Sequence, residues 1–238
     1  MQYSFSYERM IISMTGAEII KSLELSACAY RDIQPYFSHT CTAIIDDIKT
    51  DVQCFLRRKK DTLWITFRGS DSIKDWKTNF NLCKKVIPYN NTKTNIRVHC
   101  GFLNAYKAPN VRNAILSAIT KNTHYVRVSG HSLGAALATL CAVDIQYNFP
   151  DRDIETILFG CPRVGNENFK KSYNKRVNKT IRIENGNDII TKLPFPFMGY
   201  RHVGAKLHIG FPKIPLCFSR KDHSATNYYS GILSKFIF

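Results

Sequence analysis

A chain of 238 residues with 44% hydrophobic and only 22% charged residues has enough apolar material for a sizeable core, which excludes a disordered polymer. Its 34 Lys+Arg against 18 Asp+Glu leave a formal net charge of +16, a balance that fits nucleic acid, an anionic membrane or simply a solvated basic surface. A mean hydropathy of −0.23, with no apolar run of ~18 residues, argues against a membrane span.

No repeat, low-complexity stretch or linker divides the sequence, so one domain over residues 1–238 is expected. The N-terminus has no basic segment followed by an apolar run, and the expected location is cytoplasmic, with reduced thiols. Eight cysteines form no CxxC pair, which speaks against a zinc ribbon or a thioredoxin-type site. The densest basic run, Arg57-Arg58-Lys59-Lys60, stands ahead of Asp61 between two β-like segments and reads as a hairpin turn. No nucleic-acid motif accompanies it, and no nucleic-acid partner is expected.

In chain order, residues 15–33 open on Thr15 as an N-cap and carry Ala17, Ile20, Leu23, Ala27 and Tyr30 at helical spacing. Three β-like runs follow, 41–45, 52–57 and 62–67, read as an antiparallel lead-in to a sheet. Residues 101–119 are predicted as one long helix, 125–128 as a strand and 133–145 as an Ala/Leu-rich helix. Strand 154–159, helix 166–175 and strand 179–184 come next, and Ala205–Ile209 alternates like a strand. This alternation predicts an α/β fold with a mostly parallel central sheet flanked by helices. The loop-rich C-terminal third returns to helix at 222–233, with Asp222 as its N-cap.

Gly130-His131-Ser132-Leu133-Gly134 lies between the strand at 125–128 and the helix at 133–145. A serine on a tight strand-to-helix turn is thrust out of the sheet edge as a nucleophile, and the crowding of that turn requires glycine on both sides. The following helix N-terminus adds partial positive charge beside a developing oxyanion. Ala135 and Ala136 let that helix pack closely on the sheet.

This segment resembles the nucleophile elbow of the class 3, fungal-type lipases of the α/β-hydrolase superfamily. The resemblance extends to Thr66-Phe-Arg-Gly-Ser70 with Trp76, to Val98-His-Cys-Gly-Phe102 and to Phe159-Gly-Cys-Pro-Arg-Val-Gly165. It continues through the segment from Asn187 and Asp188 to Pro194 and through Tyr200-Arg-His-Val-Gly204, covering roughly 60–210 and the terminal histidine. It implies an α/β-hydrolase fold, a serine ester hydrolase acting on acylglycerol or phospholipid esters, and no metal or organic cofactor.

A serine nucleophile needs a base and an orienting carboxylate, which α/β-hydrolases supply in the order Ser…Asp/Glu…His. Asp188 follows strand 179–184 after the Asn185-Gly186-Asn187 turn, at the carboxyl end where α/β sheets place their sites. It also matches the family motif. Of the later histidines, His202 falls in a segment to which the resemblance gives a structural role, and His208 reads as a strand residue. His223 opens the last helix, where the family carries its catalytic histidine, and is the expected base. His131 is set aside because neighbouring side chains at a tight turn diverge. For the oxyanion hole the expected donors are the Leu133 N–H and, as the resemblance implies, Ser70.

Ile73, Trp76 and Phe80 fall at helical spacing, which fits either a lid of the family's kind or a core-facing helix. An idle lipase-like interaction domain and a phospholipase A1 or soluble-ester esterase stand as alternative readings. For a lipid-ester enzyme the +16 becomes an expected attraction to an anionic lipid interface.

Overall fold

The computed structural model describes residues 16–28, 43–69, 84–86, 92–211 and 217–236. Thr15, Ser70, the segment 71–80 with Trp76, and residues 29–42 lie outside the described residues. Helix α1 spans Gly16–Cys28. Strands β1 (Ala43–Asp47), β2 (Val52–Lys59) and β3 (Thr62–Phe67) follow, paired antiparallel in sequence. β4 (Lys84–Val86) and β5 (Arg97–His99) form a separate two-stranded sheet. Then come α2 (Cys100–Tyr106), α3 (Pro109–Ser117), β6 (Tyr125–His131), α4 (Leu133–Asn148) and β7 (Asp153–Phe159). The chain continues through α5 (Glu167–Arg176), β8 (Lys179–Asn185), β9 (Ala205–Ile209) and α6 (Ala225–Phe236).

The main sheet has the order β1-β2-β3-β6-β7-β8-β9, and every pairing from β3 onward is parallel. This is the mostly parallel α/β sheet with antiparallel N-terminal strands that the alternation predicts. Strand periodicity divides the buried side chains between two layers. In β7, Ile154 and Leu158 join the core beneath α2, α3 and α4, whereas Ile157 and Phe159 face Ile19, Leu23, Tyr228 and Ile232 of α1 and α6. Both faces of the central strands are thereby covered, as parallel sheets require. Helix α4 is buried continuously from Gly134 to Ile145, which explains its apolar composition.

Three boundaries differ from the sequence reading. The long helix expected at 101–119 is two helices, because Pro109 has no N–H and holds Ala108 in extended backbone (φ −50°, ψ 128°). The basic run does not form the hairpin turn as a whole: Arg57, Arg58 and Lys59 end β2, and only Lys60 and Asp61 turn, Lys60 with φ 54°. The last helix does not start at Asp222. Residues 221–223 form a separate 3-10 turn, and Ser224 caps α6 by accepting the Asn227 N–H on Oγ at 3.2 Å.

Candidate active site

The carboxyl end of β6 passes into α4 through Ser132, whose backbone is held at φ 59°, ψ −124°. Such strain persists only where the surroundings fix it. Here the Ser132 N–H is tied to the Phe159 carbonyl of β7 at 2.9 Å. The flanking glycines are steric necessities. A Cβ on Gly130 would lie 2.4 Å from the Gly134 carbonyl, and one on Gly134 would lie 2.5 Å from the Phe67 carbonyl oxygen of β3. Close approach of α4 to β3 and β6 therefore accounts for both glycines of the pentapeptide.

Strand β8 delivers the carboxylate. Asp188 follows the Asn185–Asn187 turn and is 1% exposed. Its Oδ1 accepts the Ile190 N–H at 2.8 Å, so it does make the local turn bond that an aspartate in this position favours. Its Oδ2 faces the third residue: the Nδ1–H of His223 donates to Oδ2 at 2.9 Å, and Nε2 accepts the Ser132 hydroxyl at 2.8 Å. Ser132, His223 and Asp188, from three separated parts of the chain, thus form one buried hydrogen-bonded chain at the carboxyl edge of the sheet.

His223 is positioned by the 3-10 turn before α6. The Asp222 carboxylate accepts the Asn187 N–H at 2.8 Å, and the Asn185 side-chain amide donates to the Asp222 carbonyl at 2.9 Å. Rather than capping α6, Asp222 clamps the histidine turn onto the aspartate turn. Ser219 adds backbone bonds to Asn187 and Ile189 on the same side.

Three further residues complete the arrangement, and the motif reading gives none of them a part in it. The ring of His131 stacks on that of His223 at 4.6 Å, and its Nε2–H donates to the His223 carbonyl at 2.8 Å. Successive side chains do diverge at the elbow, but the histidine turn folds back over both Ser132 and His131. Burial, reinforced by the neighbouring His223, holds the His131 imidazole well below the usual histidine range, so it stays neutral. Tyr228 of α6 donates to Asp188 Oδ2 at 2.6 Å. Gly160, with φ 58°, underlies the pair: a Cβ there would sit 3.0 Å from His223 Nδ1 and 3.1 Å from Asp188 Oδ2.

His202 lies apart from Ser132. Its Nε2–H donates to the Thr191 carbonyl at 2.8 Å, and Thr191 Oγ1 in turn donates to the Asp188 carbonyl at 2.8 Å. It braces the loop that leaves Asp188. Two other buried carboxylates after Ser132 are engaged elsewhere. Asp144 receives Arg112 and Tyr106 at 2.8 Å, and Glu184 pairs with Arg182 inside the fold. Leu133 opens α4, so its N–H has no partner within the helix and points with the positive end of the helix dipole. Ser70 lies outside the described residues.

Residues 64–198 match the model of the lipase (class 3) family, more than half of the chain. The chain is 36% identical over 141 residues to a secreted mono- and diacylglycerol lipase of Fusarium solani, covering 58% of this chain and 41% of that protein. It is 35% identical over 147 residues to a chloroplastic phospholipase A(1) of Arabidopsis thaliana, covering 55% and 33% respectively. It therefore spans about two fifths or less of the length of these curated relatives. The Rhizomucor miehei triacylglyceride lipase superposes with a TM-score of 0.70 at 25% identity, over 81% of this chain and 79% of that one. With this family matched across the elbow, the strands around it and the Asp188 loop, the chain belongs to the class 3 lipases.

Proposed function

We propose that the chain is a serine carboxylic-ester hydrolase acting on acylglycerol or phospholipid esters, with Ser132 as nucleophile, His223 as general base and Asp188 as the carboxylate that orients it. The observation that carries this reading is the continuous run of two hydrogen bonds from Ser132 Oγ through His223 to Asp188 Oδ2, at 2.8 and 2.9 Å. A carboxylate only accepts, so it fixes the proton on Nδ1 and leaves Nε2 free to take the serine proton.

Ser132 Oγ attacks the ester carbonyl carbon while its proton passes to His223 Nε2. The Leu133 N–H, aided by the α4 dipole, stabilises the tetrahedral oxyanion; Ser70 is proposed as the second donor. The C–O bond to the alcohol breaks and His223 returns the proton to that oxygen, leaving an acyl group on Ser132. Water, deprotonated by His223, attacks the acyl carbon, and its collapse releases the acid and restores the serine.

The relatives' names divide between acylglycerol lipase and phospholipase A1, so headgroup choice is the point on which a second reading stands. The net charge of +16 supports contact with an anionic lipid interface. A fluorophosphonate probe is expected to label Ser132, and Ser132→Ala to abolish both labelling and hydrolysis across triacylglycerols, phospholipids and short p-nitrophenyl esters. Equal hydrolysis by both proteins, or none by the folded native chain, would overturn the proposal.

A further inference from the structure

Four phenylalanines stand exposed on the loops that hold the histidine and aspartate. Phe195, Phe197, Phe211 and Phe218 are 37%, 85%, 88% and 50% exposed. Phe195 and Phe197 lie on the loop that leaves Asp188, with their rings stacked at 5.4 Å. Phe211 follows the end of β9, where the Ile209 carbonyl accepts the Gly186 N–H of the aspartate turn at 3.0 Å. Phe218 precedes Ser219, whose backbone bonds to Asn187 and Ile189 on either side of Asp188. The anchors of Phe211 and Phe218 belong to the carboxyl ends of β8 and β9, and the residues just before Phe195 are held by Arg163, four residues beyond the carboxyl end of β7, which donates to the Leu193 and Pro194 carbonyls at 2.7 and 3.0 Å. Water holds such apolar area only at a cost that transfer into hydrocarbon recovers.

The stretch of sequence that carries these rings has charge of one sign. Residues 189–221 contain six Lys or Arg and no Asp or Glu. Arg220 and Lys221 are exposed directly after Phe218 and Ser219. The nearby carboxylates are engaged: Asp188 is buried, Asp222 accepts the Asn187 N–H, and Glu167 pairs with Arg201 at 3.5 Å and Lys170 at 3.7 Å. Asp46, Asp47 and Asp51 belong to the β1–β2 hairpin at the opposite edge of the sheet, and Asp151, Asp153 and Glu155 flank the amino end of β7.

Apolar rings bordered by the exposed cations Arg220 and Lys221 match a surface with acyl chains beneath anionic headgroups. We propose that the loops bearing Phe195, Phe197, Phe211 and Phe218 form the face by which the chain docks on an anionic phospholipid membrane. The phenylalanines enter the acyl boundary, while Arg220 and Lys221 meet the headgroups. Docked this way, the aspartate and histidine loops face the lipid. The proposal names the partner surface of the ester-hydrolase reading and rests on that reading for its purpose, although the binding itself needs no hydrolysis.

Co-sedimentation with phosphatidylcholine vesicles, with and without phosphatidylserine, tests it in the Ser132→Ala chain, which leaves the lipid intact. Binding is expected to rise with phosphatidylserine and to fall with added salt. Arg220→Gln and Lys221→Gln should each weaken it about fivefold. Phe197→Ser with Phe211→Ser should weaken it about tenfold or more. Lys121→Gln, at the opposite end of the strands, should leave it unchanged. Equal binding to both vesicles, an unchanged phenylalanine variant, or an equal loss with Lys121→Gln would overturn the proposal. So would self-association in solution that the phenylalanine variant abolishes. Fluorophosphonate labelling of the native chain reads the hydrolase proposal separately. Vesicle binding without labelling removes the hydrolase and keeps the docking face, and labelling without vesicle binding does the reverse.

Discussion

Tyr228 and Asp188 share a bond that the serine–histidine–aspartate chain does not itself require. The phenol donates at 2.6 Å to Oδ2, the same carboxylate oxygen that receives His223 Nδ1–H at 2.9 Å, and it also accepts the Asn185 N–H at 3.2 Å. Burial first, and the adjacent Asp188 charge second, push the Tyr228 phenol well above its ordinary range, so it remains a donor at any working pH. One hydroxyl thereby ties α6, the end of β8 and the carboxylate together.

Tyr228→Phe removes the donor and keeps the ring that packs edge-on to His131 and Phe159. A hydrogen bond to a charged group contributes about 1.5–3 kcal/mol, and a loss of that size is expected in urea unfolding. Because His223 keeps its own bond to Oδ2, ester hydrolysis should fall by less than about tenfold. A loss of rate approaching that of Ser132→Ala, with stability unchanged, would show that the phenol takes part in proton transfer instead.

His131 contributes two separable interactions to His223, the ring stack at 4.6 Å and the bond to its carbonyl at 2.8 Å. His131→Phe retains only the first, and His131→Ala neither. Losing the carbonyl bond should lower kcat on a soluble ester up to about tenfold. Losing the stack as well lets the imidazole shift, for which about a hundredfold is expected. KM should change little in either variant, since neither interaction involves the substrate. Steady-state kinetics of the two variants separates the effects, and equal kcat values would show that the stack adds nothing.

Gly160→Ala places a methyl against both partners of the histidine–aspartate bond, at a residue whose φ of 58° already disfavours a side chain. The backbone strain alone costs about 1–3 kcal/mol. Relief can come only by moving His223 or Asp188, so kcat is expected to fall about tenfold or more beyond what the lost stability explains. Titrating active serines with a fluorophosphonate corrects the rates for unfolded protein. A variant as active per folded molecule as the native chain would show that the pair yields without cost.

The elbow was legible in the sequence because its requirement is steric and local. Gly130 and Gly134 are forced by backbone contacts, and Ser132 stands between a recognisable strand and helix. Asp188 was legible for a topological reason, as the carboxylate just beyond the end of β8. The break at Pro109 could have been read from that residue's missing N–H. His223 was reached only through the family resemblance, since three histidines follow Asp188. His131, Tyr228 and Gly160 were out of reach. Each acts through a contact across a wide sequence gap, 92 residues between His131 and His223 and 40 between Tyr228 and Asp188, which no local pattern encodes. Asp222 misled because an aspartate before a helix is a good cap, yet here its carboxylate is taken by the Asn187 N–H.

Acid stability should be governed by histidines that the fold keeps neutral. Burial holds His99 down to about 4. It also lowers His131 well below the usual range with help from His223, and His202 likewise with help from Arg182 and Arg163. In the unfolded chain each takes a proton near pH 6.5, so below that pH the unfolded state binds more protons than the native state. The stability that these groups contribute is fully present above about pH 6.5 and is lost as pH falls, for His99 until about pH 4. Each adds a slope of about 1.4 kcal/mol per pH unit, and three together about 4 kcal/mol per unit. Against a typical total of about 5–15 kcal/mol, this suffices to unfold the protein within a few pH units of neutrality. Thermal melts are therefore expected to be level from pH 8 to about 7 and to drop steeply between about pH 6 and 4. His202→Gln, which keeps a donor for the Thr191 carbonyl, should reduce the acid slope by about one proton's worth. An acid limb unchanged in that variant would mean that His202 accepts its proton within the fold, and that Glu184, 4.0 Å away, is the partner that lets it do so.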